Sequence, residues 1–267
     1  MEGQRMDTIG TGAVRNAPPG PASQRGLTLV ELMVALMLFV IVITAIYQTF
    51  NFQQEAYMQT ESKVNMVQEA RAAQFFLARD IKMAGYDPTT FARTGFDQAE
   101  AGALSFSMDI AGDGNPAGVE ISRFALTSNT GTYEDGLCPT NMDCRLSREW
   151  CANAADCGGM QPLAEGVEAI EFCYIIGNLR ATTAPTEFER GRITSVIVSL
   201  LMRQSYLSRG HENTNVYIPA SANEELTPIF IGDRPDAWGP FNDPYRRKLV
   251  IFEVKARNMS MNPYMDF

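Results

Sequence analysis

GLTLVELMVALMLFVIVITAIY, residues 26–47, is the stretch around which the rest of the sequence is organised. Across 27–47 the side chains are almost unbroken hydrocarbon, with Thr28, Glu31 and Thr44 as the clear polar interruptions. As an α-helix this segment rises about 31 Å, roughly the thickness of a bilayer core. A charge at the centre of a bilayer costs roughly 2.5–3.5 kcal/mol, so an acid inside such a run is a functional candidate by default. Glu31 is that acid. A secretory signal peptide fits poorly. The apolar run is too long for the core of such a peptide, Glu31 lies within it, and no A-x-A-like site follows.

Upstream, 1–25 is rich in Gly, Pro, Ala, Asn and Gln, with PPGP at 18–21, and reads as a disordered leader. A start at Met6 would shorten it. Arg5, Arg15 and Arg25 outnumber Glu2 and Asp7, a weak positive-inside bias that places the N-terminus in the cytoplasm and the rest across the membrane. Downstream, 48–84 holds no Pro or Gly and is filled with good helix formers. Met66, Ala70, Ala73, Leu77, Ile81 and Ala84 recur at helical spacing as one narrow apolar stripe, and Gly85 with Pro88 is a stop signal. The spacing predicts one helix over 28–84, roughly 85 Å long, apolar all round in its first half and amphipathic in its second.

Beyond the stop the hydrophobic period falls to 2. Strands are expected at 103–108 and 118–127, joined by 109–117, then within 163–176, at 192–203 and at 247–257. The 192–203 run is the most hydrophobic and belongs at the centre of the sheet; 247–257 closes it. This is an α+β pattern, an antiparallel β-sheet packed on the exported half of a long N-terminal helix. The domains are then 1–26 (leader), 27–47 (transmembrane), 48–85 (exported amphipathic helix) and 86–267 (globular and β-rich). Tyr206, Tyr217, Phe230, Trp238, Phe241 and Tyr245 supply aromatic surface for the core and part of an interface. Arg79, Asp80 and Lys82 read as a solvated helix end, with Arg71 free to pair with Asp80 or a strand residue.

The chain has 267 residues and a formal charge of −9, which argues against general attraction to nucleic acid or anionic lipid. Loss of the leader makes it one unit more negative. Arg246, Arg247 and Lys248 form only a short basic cluster, which reads as a solvated strand edge. Cys138, Cys144, Cys151 and Cys157 lie in a loop rich in Asn, Asp, Gly and Pro. Their spacing lacks the close pairs of a zinc site, and no C-x-x-C-H haem motif occurs. In an oxidising compartment they are candidates for two disulfides stapling the loop, with nested and sequential pairings both open. Cys173, on a strand, reads as a buried thiol in preference to a partner of a loop cysteine. Asp109, Asp113 and Asn115 are weak calcium candidates. They lack the spacing of a helix–loop–helix calcium site, and a hairpin turn explains them equally. No nucleophile elbow, phosphate loop or dinucleotide fingerprint appears, and His211 sits in a polar loop. No cofactor is expected and no enzyme.

Arg25-Gly26 followed by L-T-L-V-E and an apolar helix resembles the processing site of type IV prepilins, where a dedicated peptidase cuts after the glycine on the cytoplasmic side. Gly26, Thr28, Leu29, Val30 and Glu31 carry the match; Leu27 stands where Phe or Met is usual. RAAQFFLARDIKMAGYDP, 71–88, resembles the segment of PilW-type minor pilins where the long helix ends. VEAIEF, ITSVIVSLLMRQS and the Arg257-Asn258 pair look like their C-terminal strands, and the resemblance is patchy over 128–162. It implies a minor pilin that initiates pilus assembly or sits at the tip, serving motility, adhesion or DNA uptake. It also implies a new amine at Leu27, and Glu31 and Thr28 in assembly. The implied partners are the prepilin peptidase, other minor pilins, the major pilin and an inner-membrane assembly platform. The implied location is the bacterial inner membrane, crossed once, with the C-terminal domain in the periplasm until it joins the pilus. A J-like pseudopilin of type II secretion has the same architecture; a membrane-tethered adhesin with an uncleaved helix is the rival. N-terminal sequencing of the protein from native membranes should begin at Leu27, and a mature end upstream of Gly26 would reject the processing site.

Overall fold

The computed structural model describes residues 26–139, 142–177 and 179–259. The leader reading on 1–25, with its alternative start, and the Met/Pro-rich tail at 260–267 lie outside them. Helix α1 spans Leu29–Ile81. Four strands follow: β1 (Phe96–Ala99), β2 (Ala103–Met108), β3 (Glu120–Thr127) and the short β4 (Thr132–Tyr133). Then come β5 (Arg145–Asn153), β6 (Asp156–Cys157), β7 (Gln161–Glu165), β8 (Val167–Ile176) and β9 (Arg180–Thr182). A short helix α2 (Glu187–Arg190) precedes β10 (Ile193–Arg203), β11 (Ile229–Phe230) and β12 (Arg247–Lys255).

These strands make two sheets, where the hydrophobic pattern suggested one. The first runs β1-β2-β3-β5-β6, with β4 on β3 and β7 on β5; the second runs β11-β9-β8-β10-β12. Pairing is antiparallel except between β11 and β9. The expected hairpin β2–β3 thus belongs to a different sheet from the three later strands. Alternation within a strand reveals its faces but not its partners, so sequence could not separate the two.

The chain divides into two compact units at Gln53/Gln54. In the first, residues 26–53, every side chain is exposed. In the second, the helix stripe Met66, Ala70, Ala73, Leu77, Ile81 and Ala84 is buried against residues of both sheets, among them Phe106, Phe124, Phe172, Tyr174 and Val198. Val198 sits in register between Phe172 of β8 and Phe252 of β12. The other face of this sheet is covered as well. Cys173, Ile175 and Ile197 pack with Ala181 and Ala220 in a second cluster, beneath part of the long connection from β10 to β12. Burial on both faces is why ITSVIVSLLM reads as a continuous hydrophobic run, whereas a strand wet on one side alternates. Of the six aromatics expected to serve the core and part of an interface, Phe230 packs on this second cluster, and all six remain partly exposed within that connection. The core rings are Phe96, Phe106, Phe124, Phe172 and Tyr174.

The helix ends as its composition demands. Gly85 takes φ +74°, a conformation that disfavours any Cβ, and a side chain there would strike Met259. The Asn258 amide donates to the orphan carbonyl of Lys82 (2.9 Å), and the Gly85 N–H donates to Ser107 of β2 (3.1 Å). A pair of glycines joins the sheets. A Cβ on Gly102 would lie 1.9 Å from the Gly136 nitrogen, and one on Gly136 would lie 2.3 Å from the Ile170 carbonyl. Across this contact Ile170 N–H donates to Gly136 O (2.8 Å) and Phe172 N–H to Ala101 O (2.7 Å). Gly136 also has φ +75°. Gly136→Ala should therefore destabilise the fold by about 2–4 kcal/mol, through backbone strain plus overpacking. Leu77→Ala should cost about 2–5 kcal/mol through its cavity. Both are measurable as shifts of the denaturation midpoint.

Candidate functional site

The first turn of α1 is a capped helix start. Thr28 lies just outside the helix; its carbonyl accepts from Leu32 N–H (3.2 Å) and its hydroxyl accepts from Glu31 N–H (3.3 Å). Thr28 is thus the N-cap and Glu31 the third helical residue, the T-x-x-E order of a capping box. Only half of the box is closed. Among the described residues the Glu31 carboxylate has no hydrogen bond and no ion pair within its own chain. The favourable field at a helix N-terminus is its only intrachain compensation.

The remaining polar interruption is settled internally. The Thr44 hydroxyl donates to the Val40 carbonyl (2.8 Å), and Thr49 does the same to Ala45 (2.9 Å). A hydroxyl bonded back four residues asks nothing of an apolar surrounding. Of the polar groups singled out at 27–47, Glu31 alone is left to find a partner elsewhere. Its surroundings are Leu29, Val30, Leu32 and Met33, all more than half exposed. The helix is long and apolar enough to cross a membrane. Ahead of it, Gly26 and Leu27 are exposed and outside the helix, so the peptide bond between them is accessible. A Cβ on Gly26 would meet nothing within 4 Å. Nothing in the fold requires glycine there.

The other residues singled out by the sequence lie apart from this segment. The bridges are sequential: Cys138–Cys144 in the loop before β5, and Cys151–Cys157 between the paired strands β5 and β6. Cys173 is a buried thiol, pushed up to about 12 by burial and then by the neighbouring Glu171. Asp109 is buried, and its oxygens accept from the N–H groups of Gly112 (2.7 Å) and Gly114 (3.0 Å). Asp113 and Asn115 each accept a backbone N–H two residues on. These three therefore shape the β2–β3 turn. Glu149, Cys151 and Cys157 lie within metal-binding distance of one another, but both sulfurs are spent in a disulfide.

Two expectations about charged residues need correction. Asp80 is not solvated: it is 5 % exposed and contacts Arg79 and Arg148, each at 2.8 Å. Its strand partner is Arg148, not Arg71, and Arg148 stacks on Trp150 at 4.6 Å. Arg247 is also not at a wet edge. Its side chain is 1 % exposed, clamped by Glu168 and Asp243 over the ring of Phe241. The Arg247 hydrogen bond holds the Asp243 carboxyl below its usual range. Sequence offered no signal for the Asp80–Arg148 and Arg247–Glu168 pairs, because those partners lie on elements far apart in the chain. Only the T-x-x-E order at Thr28 was there to be read.

Residues 21–47 match the family model described as the prokaryotic N-terminal methylation motif. The chain therefore has a prepilin-type N-terminus. Among solved structures, a type IV-like pilin from Thermus thermophilus is similar over 72 % of this chain and 97 % of its own, at 16 % identity and a TM-score of 0.43. No curated protein matches the chain.

One buried acid gives a pH prediction. Glu171 is 4 % exposed and accepts from the N–H of Ser221 (3.1 Å) and from its hydroxyl. Burial raises its pKa above the ordinary glutamate value of 4.5, against the opposing hydrogen bonds of Ser221. The native state thus binds this proton more tightly than the unfolded chain does. Stability is gained as pH falls through the native pKa, and levels off below the ordinary value. Compared with Glu171→Gln, the wild type should gain in thermal midpoint as the pH is lowered from about 7.5 to about 4. A constant difference between the two proteins would contradict this.

Proposed function

We propose that the protein is a minor pilin of a type IV pilus, a structural subunit that initiates assembly or sits at the tip. A peptidase removes 1–26, and residues 27–47 hold the subunit in the inner membrane. The domain that follows lies in the periplasm until assembly, when it contacts other minor pilins and the major pilin. The observation carrying this reading is the prepilin-type motif whose acid, Glu31, has no partner among the described residues while Thr28 and Thr44 do. Cleavage after Gly26 creates a cationic amine on Leu27, four residues before Glu31. In a helical bundle the carboxylate of one subunit meets the amine of the next, and each desolvated charge gains its counter-charge. Losing one member of a buried ion pair costs about 3–5 kcal/mol, so the pairing sets the axial register between subunits. The role is mechanical, and no step of it is catalytic.

The J-like pseudopilin of type II secretion remains the second reading, because the same motif and the same lone acid serve both. Detection on sheared extracellular filaments favours the pilus; confinement to the cell envelope, with loss of protein secretion on deletion, favours the pseudopilin.

Two substitutions test the proposal in the native host. Gly26→Ala should fold normally, since its side chain meets nothing, yet keep its leader on an immunoblot. Glu31→Ala should be inserted and cleaved but fall at least about tenfold in sheared filaments, as expected for losing more than 1.4 kcal/mol per contact. Normal incorporation of Glu31→Ala would remove the register role.

A further inference from the structure

A cavity of about 280 Å³ opens in the β-rich unit where α1, the connection after β10 and the start of β12 meet. We propose that it binds a sugar acid, a carboxylate carried on a hydroxylated ring. This inference stands independently of the pilus assignment.

Charge is the first argument. The chain is acidic overall, yet Lys63, Arg246 and Lys248 converge on this cavity. Among the described residues none of the three has a carboxylate partner. Their neighbour Arg247 is the contrast, neutralised by Glu168 and Asp243 and so part of the wall. The Arg246 Nε–H donates to the Ser208 hydroxyl (3.2 Å), which fixes the guanidinium and leaves its two terminal nitrogens for an anion.

An unpaired acceptor is the second. Gln204 lines the cavity and is 3 % exposed, and its Oε1 is buried without a hydrogen-bond donor. A buried acceptor left unmade costs about 1–3 kcal/mol. A donor is needed there, and a neutral one adds no fourth positive charge to the three cations. A hydroxyl meets both demands. One ligand therefore carries an anion for the lysines and arginine and a hydroxyl for Gln204.

The walls are ready for a ring. Asn213 is fixed by donation to the Tyr245 carbonyl (3.0 Å) and the Tyr217 hydroxyl (3.1 Å). The Met66 side chain and the Tyr217 ring offer apolar surface to the C–H face of a sugar. The volume suits one hexose-sized unit and excludes a dinucleotide or a folded peptide.

The test is equilibrium dialysis of the full-length protein in detergent against labelled glucuronate, with glucose, inorganic phosphate and a galacturonate tetramer as competitors. Saturable glucuronate binding is expected, suppressed by salt. Glucose and phosphate should compete at least about tenfold less well, each lacking half of the recognition. Lys248→Gln should weaken binding about tenfold without changing the unfolding midpoint. Gln204→Leu, which removes the acceptor, should narrow the preference for glucuronate over phosphate. Competition by the tetramer at monomer strength assigns the site to a polymer end as well as the free acid; failure of the tetramer restricts it to the free acid. Absence of saturable binding, phosphate competing as well as glucuronate, or unchanged binding by Lys248→Gln would each overturn the proposal.

Discussion

Among the described residues of the apolar segment one carboxylate lacks a partner, and the proposed assembly depends on it. The apolar start of α1 satisfies every backbone group it can within the helix, and Thr28 and Thr44 spend their hydroxyls on their own turns. Glu31 is left over. In hydrocarbon an ion with no counter-ion is poorly tolerated, so the helix is unfinished as a monomer. Its exposed leucines, valines and isoleucines say the same in apolar terms: a surface of this kind is covered by lipid or by other helices. Apolar cover is unspecific in register, because one leucine face slides past another at little cost. A charge pair is not, and that asymmetry lets one residue set the geometry of a proposed assembly.

In its second half the same helix obeys opposite rules. Ala70 and Ala73 on the buried stripe let the backbone approach the sheets closely, and Leu77 and Ile81 fill the gap between them. The stripe is narrow because one flank of the helix faces the strands and the rest faces water. Asp80, at its end, is drawn into the interior by Arg148 of β5. Arg148 is its partner from across the fold, since Arg79 is the adjacent helix residue and half exposed. The pair therefore ties the helix to one sheet, while Asn258 ties its last turn to the segment after β12 of the other.

What could be read in advance follows from the range of the forces involved. Helix period, the Gly85 stop, the 109–117 turn and the strands β2, β3, β8, β10 and β12 are set by neighbours in sequence, and were legible. The division into two sheets was not, because pairing between β3 and β5 or between β8 and β10 is decided at long range. Strands β5 and β7 were hidden for a local reason: cysteine, asparagine and glycine dominate the flanks of 128–162 and read as loop. At the N-terminus the prepilin-type pattern was legible down to the glycine. The capping role of Thr28 was equally present in the letters T-L-V-E, which serve the helix start and the processing pattern at once. The Asp80–Arg148 and Arg247–Glu168 pairs escaped because a charged letter gives no hint of a remote counter-charge, and Glu171 because its partner Ser221 is neutral and fifty residues on.

The bridge pattern bears on how the protein matures. Each cysteine of the four joins its next neighbour, Cys138 to Cys144 and Cys151 to Cys157. A chain oxidised in the order in which it emerges meets the right thiol first on both occasions, so no isomerase has to rearrange a mispaired intermediate. The fifth thiol, Cys173, emerges last and is withdrawn into the interior by folding of the central sheet.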